Sequence, residues 1–548
     1  ARPVVVDMPA AEAPADAAGE PAEAAEDPKD AADSAEETAE DADAAEDAET
    51  PEPPEIAIAR PDAAQPAVQP GIAAPAIQPG GISVMLPGET RQVALNTQAS
   101  NEDGTVMGDF ETVVKNAKAG QEIILQEDYT GSLTIFDWIR LNLNKKTVTG
   151  TITVDLSGKK ADGSRGTVEI VNGTITGGTE SGVKITGAEG SEILLKDLTI
   201  TGNRNDTSGY GGGGVCADSG DLTIDHCRIT DNTAANGSGG GVSMGSKHGG
   251  TVENASLTIK DSVISGNTST AQGGGVYAAV TDGSVSITGS TLSGNTILEN
   301  TAGQDGGGIY IHFNAGNVSI SNATITDNKA TATGNTSYGH GGGIYSQRGV
   351  TVKNVTITGN NSTYEGGGIY GKGAITLTDA TVTDNNRYDV YYGGVEGTTS
   401  NSKLTVSGSV KAGYYANFDW KMPILVSGAL SEDSVIRVGV REGIKPNAGG
   451  SLLIAEPASG VTLSAENFKA DAADSVTSLG EDGKVYLSLC EHEMDDTGYT
   501  CKKCKTQFDA RVGDSAYYKT LTDAFNAARG STVTLLRNVT LTGNCSSE

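Results

Sequence analysis

One spacing of apolar residues recurs along the middle of this chain and constrains its fold more than any other feature. Each unit reads apolar-x-apolar, four residues, another apolar residue and, after two more residues, usually Asn, as in Leu222, Ile224, Ile229 and Asn232. A variable loop follows, and then come three glycines and a branched aliphatic residue. A fixed core with variable loops, repeated every 25 to 35 residues, indicates one supersecondary unit per turn of a linear stack.

The two-residue alternation of the apolar positions predicts that each unit is built of short strands rather than helices. Three strands per turn, bending at Gly and Asn, predict an all-β solenoid of parallel strands. The asparagines should share one corner, where each amide can both donate to and accept from its neighbours in adjacent turns. The predicted corner asparagines are Asn203, Asn232, Asn267, Asn295, Asn328, Asn360 and Asn385. The glycines suit a second corner, at which the backbones of adjacent turns pack closely.

The repeat resembles the right-handed parallel β-helix of pectate-lyase-like proteins. Motifs such as Gly366-Gly367-Gly368-Ile369 and Ile357-x-x-Asn360 resemble the repeats of bacterial polymorphic outer-membrane proteins and related secreted adhesins. The resemblance covers residues 106–400. It implies a right-handed β-helix and an extracellular or bacterial cell-surface location, whereas it indicates an activity only weakly.

Five segments are predicted along the chain. Residues 1–60 hold 19 acidic and 3 basic residues, too charged and too poor in apolar surface to fold alone. The segments are a disordered Ala/Glu/Pro-rich acidic spacer at 1–90, the β-helix at 91–400, closing coils and a C-terminal β cap at 401–489, a Cys/His knuckle at 490–506, and a truncated second β-helix start at 507–548.

Two short helices are predicted, and each should cap an open solenoid end. In both, apolar residues recur at i, i+3, i+4 and i+7 and a glycine follows as a stop signal. The first helix, near 110–118, uses Phe110, Val113, Val114 and Ala117, and the second uses Leu521, Ala524, Phe525 and Ala528. A strand-like run follows each helix, so the tail of the chain repeats the start of the solenoid. The alternative is a small α/β appendage that packs on the cap.

Composition excludes several partner classes. The chain has 38 Lys plus Arg against 70 Asp plus Glu, a formal net charge of −32. Nucleic acid and anionic lipid need a basic face, so neither is expected as a partner. No run of about 18 apolar residues occurs, so direct membrane insertion is not expected.

The segment between the two predicted solenoids carries metal-ligand spacing. Cys490, His492, Cys501 and Cys504 form the pattern Cys-x-His, eight residues, Cys-x2-Cys. Three thiolates and one imidazole suit tetrahedral zinc, and four protein ligands would leave no open position, so the site should be structural. The spacing resembles Cys/His knuckles that join repeated domains in Gram-positive bacterial surface proteins. Disulfide bonding is the alternative, although it leaves His492 unexplained.

Tyrosines suggest a binding surface. Tyr277, Tyr310, Tyr345 and Tyr370 each follow the aliphatic residue of a glycine run, so they should point outward and stack on successive coils. In-register stacking that stabilises the sheet is the favoured interpretation of that series. Candidate binding residues lie at the same corner, because exposed aromatics with polar neighbours are typical of glycan sites. They are Tyr210, Asp305, Tyr338, His340, Tyr364 and Glu365.

The predicted function is a non-enzymatic surface or secreted adhesin whose β-helix binds a host surface protein, immunoglobulin or glycan. A lyase or glycoside hydrolase of the pectate-lyase-like fold is the second hypothesis, and a passive stalk is the third. Carbohydrate hydrolysis needs paired carboxylates presented together, and the sequence motifs that supply them are not found. No catalytic residue is therefore assigned.

Overall fold

A computed structural model describes most of the chain after residue 98. The described residues are 99–101, 106–159, 165–207, 211–245, 251–289, 295–298, 300–312, 315–332, 338–393, 404–416, 423–440, 446–472, 474–514 and 516–540. The predicted acidic spacer and Tyr210 lie outside them.

Three parallel sheets wind into a solenoid, as the apolar spacing predicts. Every coil adds one rank to each sheet, and the ranks pair in register, as in Ile309 with Ile344 and Ile344 with Ile369. Inward-facing residues repeat at the same register, so that Ile229, Ile264 and their equivalents in neighbouring coils form columns that are almost fully buried. Such a core buries apolar surface only by stacking on neighbouring coils. The predicted all-β parallel β-helix is confirmed.

The strand bounds follow the three sheets. The first sheet contains Leu133–Ile135, Ile152–Asp155, Val183–Thr186, Val215–Ala217, Val242–Met244, Val276–Ala278, Ile309–Ile311, Ile344–Ser346, Ile369–Gly371 and Val390–Tyr392. The second contains Glu122–Leu125, Arg140–Asn142, Asp221–Asp225, Leu257–Lys260, Val285–Thr288, Ile375–Thr378, Leu404–Gly408, Ile424–Leu430 and Ser451–Pro457. The third contains Tyr129–Thr130, Thr147–Thr149, Arg228–Thr230, Val263–Ser265, Asn295–Leu298 and Thr381–Thr383.

Some strands run through two sheets without a break. Those shared by the second and third sheets are Thr167–Thr176, Glu192–Thr201, Val318–Thr326 and Val350–Thr358. Those shared by the third and first are Lys411–Ala416, Val435–Val440 and Phe468–Ala470. Short bridging strands after the asparagine corner are Arg204–Asn205, Thr233–Ala234, Thr268–Ser269, Thr301–Ala302, Lys329–Ala330 and Asn361–Ser362, and a separate pair joins Val252–Glu253 to Val280–Thr281.

Both ends of the described chain carry antiparallel strands. Ala99–Asn101 and Val106–Gly108 precede helix α1 (Phe110–Asn116), which packs its buried face on the first coil. The 3-10 turn Ala465–Asn467 leads into the last parallel rank, Phe468–Ala470, and the hairpin Ser475–Leu479 and Val485–Leu489 follows. The final elements are Ala510–Val512, Ala516–Tyr518, helix α2 (Leu521–Ala528) and Val533–Leu535. No helix in the described ranges is long and apolar enough to cross a membrane.

A column of asparagines runs along one corner, and the structure corrects one predicted member. The side-chain amide of Asn267 donates to Asn300 Oδ1 at 3.0 Å, and that of Asn300 donates to Asn328 Oδ1 at 2.9 Å. The prediction of Asn295 was therefore wrong. The motif apolar-x-x-Asn occurs twice here, at Leu292 and at Ile297, and Ile297 is the residue that pairs in register with Ile264. The column is Asn203, Asn232, Asn267, Asn300, Asn328, Asn360 and Asn385.

The glycine corner packs backbone against backbone. A Cβ atom added to Gly274 would lie 2.4 Å from the carbonyl oxygen of Gly307 and 2.5 Å from the carbonyl carbon of Thr301, both in the next coil. Gly275 is confined in the same way by Gly308. Backbone atoms in two paired coils cannot move aside as a flexible side chain could, so the glycine run is a packing requirement at this corner.

Gly274→Ala should therefore lower the free energy of unfolding by about 1–3 kcal/mol through overpacking. Gly158 is the matched control, because a Cβ atom there would meet nothing within 4 Å. Gly158→Ala should be neutral or stabilise by up to about 1 kcal/mol, since alanine restricts the unfolded chain. Guanidinium unfolding monitored by circular dichroism measures both, and equal free energies for the two variants would contradict the packing argument.

Candidate metal centre and aromatic rim

The four predicted metal ligands come together after the last strand of the solenoid. Cys490 directly follows Val485–Leu489, and its backbone N–H donates to Asp474 O at 2.7 Å. Cys501 and Cys504 lie in one tight turn, in which Lys505 N donates to Cys501 O at 2.9 Å. Bridges of Met494 with Cys501 and of Thr500 with Gln507 hold this turn beside the Cys490 segment. The ligand atoms of Cys490, His492, Cys501 and Cys504 all lie within 4.8 Å of one another.

The distances between these atoms suit tetrahedral coordination. Cys490 Sγ lies 3.6 Å from Cys501 Sγ, and Cys504 Sγ lies 3.5 Å from His492 Nδ1. Sulfur atoms bound to one zinc ion at about 2.3 Å and at tetrahedral angles are about 3.8 Å apart, and a sulfur–nitrogen pair is slightly closer. A disulfide would need about 2.05 Å. The cysteines are free thiols in the structure.

The electrostatics of this cluster favour the thiolate form of Cys501. Burial raises the pKa of Cys490 to about 12, and hydrogen bonding with the other two thiols adds to the effect. Burial also opposes ionisation of Cys501, but hydrogen bonds from the Cys504 backbone, the His492 side chain and the Lys503 backbone outweigh it and lower the Cys501 pKa to about 6. A thiolate held by backbone N–H groups is the form that binds a metal.

Aromatic packing places the centre between the solenoid and the C-terminal elements. The His492 ring lies 4.6 Å from the Phe508 ring centroid and 6.2 Å from that of Tyr517. Val476, from the closing hairpin, packs on the same small cluster. The residues that could hold a metal therefore connect the closing hairpin to the 510–535 elements.

The outward tyrosines form a stacked column, and it is buried. Ring centroids are 5.0–5.4 Å apart along this column, with nearly parallel planes. The expectation that the tyrosines point outward and stack holds, but these residues are only 3–8% exposed. Burial raises the pKa of Tyr277 to about 12 and also raises that of Tyr345. The tyrosine column contains Tyr277, Tyr310, Tyr345, Tyr370 and Tyr391, with Tyr415 partly buried at its end.

Asp305 and His340 connect the loops that precede two successive glycine runs. The Asp305 carboxylate accepts the His340 backbone N–H at 2.9 Å and lies 3.1 Å from His340 Nδ1. The His340 ring lies 4.6 Å from Tyr370 and 5.8 Å from Tyr364. Burial raises the pKa of Glu365, while His340 and Arg387 act in the opposite direction.

Tyr388 lies beside Tyr415 at the end of the tyrosine column and is the most accessible aromatic residue there. Its ring stacks on Tyr415 with centroids 4.1 Å apart and is 39% exposed. Arg387 and Tyr388 have φ angles of 50° and 76°, a left-handed backbone that is rare for bulky residues and is found preferentially at functional sites. The Glu365 carboxylate is close enough to contribute to the raised pKa of Tyr388, after burial. We call His340, Tyr364, Glu365, Arg387 and Tyr388 the aromatic rim.

The structure thus brings together most of the predicted binding residues. Asp305, His340, Tyr364 and Glu365 meet, and Tyr338 is partly buried on the loop that leads to His340. Sequence reasoning missed Arg387 and Tyr388. Their coil lacks the triple glycine and has Asp389 directly before its aliphatic residue instead. Asp389 also ends the asparagine column, because its carboxylate accepts from Asn385 N at 3.0 Å. The signal that could have found them is the dipeptide Val390-Tyr391, which repeats the aliphatic-Tyr pattern of Ile369-Tyr370 and pairs with it in register.

Two comparisons with known families match the repeat. A family model described as right handed beta helix region matches residues 139–338. The solenoid of this chain is a right-handed parallel β-helix. A model of the Chlamydia polymorphic membrane protein repeat matches residues 354–372, which include Tyr364 and Glu365 of the rim. No curated protein matches the chain closely enough to count as a relative. The second match indicates a surface protein, and two of the five rim residues lie in the matching repeat.

Proposed function

We propose that this β-helix protein is a bacterial cell-surface or secreted adhesin that binds a glycan, on a host glycoprotein or a polysaccharide, at the aromatic rim. The observation that carries the proposal is Tyr388, an exposed ring held in a left-handed backbone and stacked on Tyr415. A strained position persists only where the surrounding structure enforces it. Here the enforced conformation keeps one ring face at the surface.

The chemistry around Tyr388 suits a sugar. The apolar face of a pyranose stacks on a tyrosine ring, and its hydroxyl groups need nearby donors and acceptors. Arg387 is an exposed donor, and Glu365 with its raised pKa offers a carboxyl group beside it. A net charge of −32 disfavours a polyanionic ligand, so a neutral or weakly charged glycan is the expected partner.

The alternatives predict different behaviour at the same residues. An enzyme would turn over a polysaccharide and lose that activity when one carboxylate is removed. A passive stalk would bind no ligand, and a partner that is recognised as a protein, such as an immunoglobulin, would bind equally well after its glycans are removed. We expect binding without turnover, and binding that requires the glycan.

Tyr388→Ala should weaken binding of the best glycan ligand by at least roughly tenfold, because the stacking face is lost. Phe136→Ala is the matched control, since Phe136 is also a well-exposed ring, at 42%, but lies in the first coils. Isothermal titration of the full chain gives the three affinities. Equal losses in the two variants, or no loss in Tyr388→Ala, would count against the rim.

We also propose that Cys490, His492, Cys501 and Cys504 hold one structural zinc ion. Three sulfurs and one nitrogen at tetrahedral separations support zinc, and four protein ligands fill its coordination shell. The ion would fix the segment that joins the closing hairpin to the following elements. Metal analysis beside a thiol count tests this assignment.

A further inference from the structure

The C-terminal elements repeat the topology of the cap that begins the solenoid. We call residues 99–125 the N-terminal cap and residues 510–535 the C-terminal module. In the N-terminal cap, Ala99–Asn101 is the central strand and pairs antiparallel with Val106–Gly108 and with Glu122–Leu125. In the C-terminal module, Ala510–Val512 is central and pairs antiparallel with Ala516–Tyr518 and with Val533–Leu535.

The equivalence extends to individual positions. The register sets Leu125 opposite Ala99 and Leu535 opposite Ala510, and both alanines are fully buried. Each helix begins with a side chain that accepts from the backbone N–H three residues later.

The helix N-caps agree, whereas the helix ends differ, since α1 ends at an extended Ala117 and α2 at a left-handed Arg529. The helix-capping residues are Asp109 for α1 and Thr520 for α2. A glycine with positive φ follows each helix, Gly120 at 81° and Gly530 at 88°. Two independent segments thus share strand order, pairing sense and the helix N-cap.

The two modules differ in what covers them. In the N-terminal cap, the outer edge of Glu122–Leu125 pairs in parallel with Arg140–Asn142 of the first coil, and Leu125 is fully buried. In the described part of the chain, Val533–Leu535 has Ala510–Val512 as its one strand neighbour, and Leu535 is 53% exposed. An open strand edge with an exposed leucine is a template for a further strand.

We propose that the open edge of Val533–Leu535 docks the first coil of a second parallel β-helix, carried by the polypeptide after Thr540. The docked strand would be extended and parallel, with aliphatic side chains over Val533 and Leu535, as Arg140–Asn142 and its Leu141 lie on the N-terminal cap. The sequence that follows supports this occupant, because Leu541 and Asn544 repeat the spacing of Ile229 and Asn232. The metal centre then lies at the joint between two solenoids.

A graft onto the full chain tests the edge. A copy of residues 126–158, the coil that covers the N-terminal cap, replaces the residues after Thr540. Hydrogen–deuterium exchange at Val533–Leu535 should slow by at least roughly tenfold in the grafted chain. The matched control carries Asp in place of the grafted copy of Leu141 and should show no slowing. Unchanged exchange in the graft, with Glu122–Leu125 still protected in the same sample, overturns the proposal.

A second measurement does not depend on the graft being folded. In the unmodified chain, hydrogen exchange at Val533–Leu535 should be at least roughly tenfold faster than at Glu122–Leu125, because the outer edge of Val533–Leu535 has no coil paired with it. Equal protection of the two strands overturns the proposal. So does a dimer in sedimentation velocity that Leu535→Asp abolishes, since the occupant would then be a second copy of this chain.

Discussion

Purified protein should contain about one zinc ion per chain, and Cys501→Ser should lose nearly all of it. Cys501 supplies the preformed thiolate of the cluster, with its pKa lowered to about 6, and it is fully buried. Cys216→Ser is the matched control, because Cys216 is a buried free thiol in the first sheet, far along the chain from the cluster. Elemental analysis beside a thiol titration measures the effect. A chain with a Cys490–Cys501 disulfide and no metal would contradict it.

Zinc affinity should also depend on pH. The Cys490 pKa of about 12 means that this residue is a thiol at pH 7 and must release its proton when it binds the ion. Each released proton raises the affinity about tenfold per pH unit, so binding should weaken as the pH falls. Competition with a chromophoric chelator at pH 6, 7 and 8 measures the slope. A slope of zero would mean that the thiols are not the ligands.

Removing the ion should loosen a local segment and leave the solenoid folded. Residues 490–508 have a small apolar cluster, whereas the coils bury a continuous core. Chelation should therefore speed hydrogen exchange across 490–508 and not in the ranks from Val215–Ala217 to Ile369–Gly371. Melting of the coils on chelation would show that the ion has a wider role.

Asn300→Ala should lower the free energy of unfolding by about 3–5 kcal/mol, because several buried polar groups lose their partners at once. Asn300 Oδ1 accepts from both the backbone and the side-chain N–H groups of Asn267. Its own amide donates to Ile264 O at 3.0 Å and to Asn328 Oδ1. Asn300 is fully buried, so bulk water does not replace these bonds.

Asn295→Ala is the matched control for this column. Asn295 was the sequence-based choice, but the hydrogen bonds pass from Asn267 to Asn300 and then to Asn328. Its replacement should lower the free energy of unfolding by less than Asn300→Ala does, because Asn295 is not a member of the asparagine column. Chemical denaturation of the two variants measures both values. A larger loss in Asn295→Ala than in Asn300→Ala would contradict the register of this coil.

The β-helix could be predicted from the sequence because its core repeats. Alternation by two and the corner asparagines report strands and turns directly, and pairing in register confirms them at Ile264 and Ile297. The prediction of the register was wrong where the sequence offers two equivalent motifs in one long loop, Leu292 with Asn295 and Ile297 with Asn300. A local pattern cannot choose between them, since the choice depends on whether Leu292 or Ile297 pairs with Ile264 of the neighbouring coil.

The candidate sites, too, could be predicted from the sequence only in part. The clustering of the four candidate metal ligands could be predicted because two short spacings place four donor atoms in one loop. The orientation of the tyrosine column could be predicted, but its burial could not, since burial depends on contacts between coils such as that of the His340 ring with Tyr370. Tyr388 escaped notice because its exposure follows from a left-handed backbone at the end of the asparagine column.

Glycan recognition by the rim is the central claim, and one array experiment tests it most directly. Labelled full-length protein and its Tyr388→Ala variant are applied side by side to immobilised glycans and to host glycoproteins with and without their glycans. The account predicts that the wild-type protein binds a small set of related glycans, and that Tyr388→Ala loses at least roughly nine-tenths of that signal. Absence of glycan binding by the wild-type protein, or equal signals from the two proteins, would contradict it.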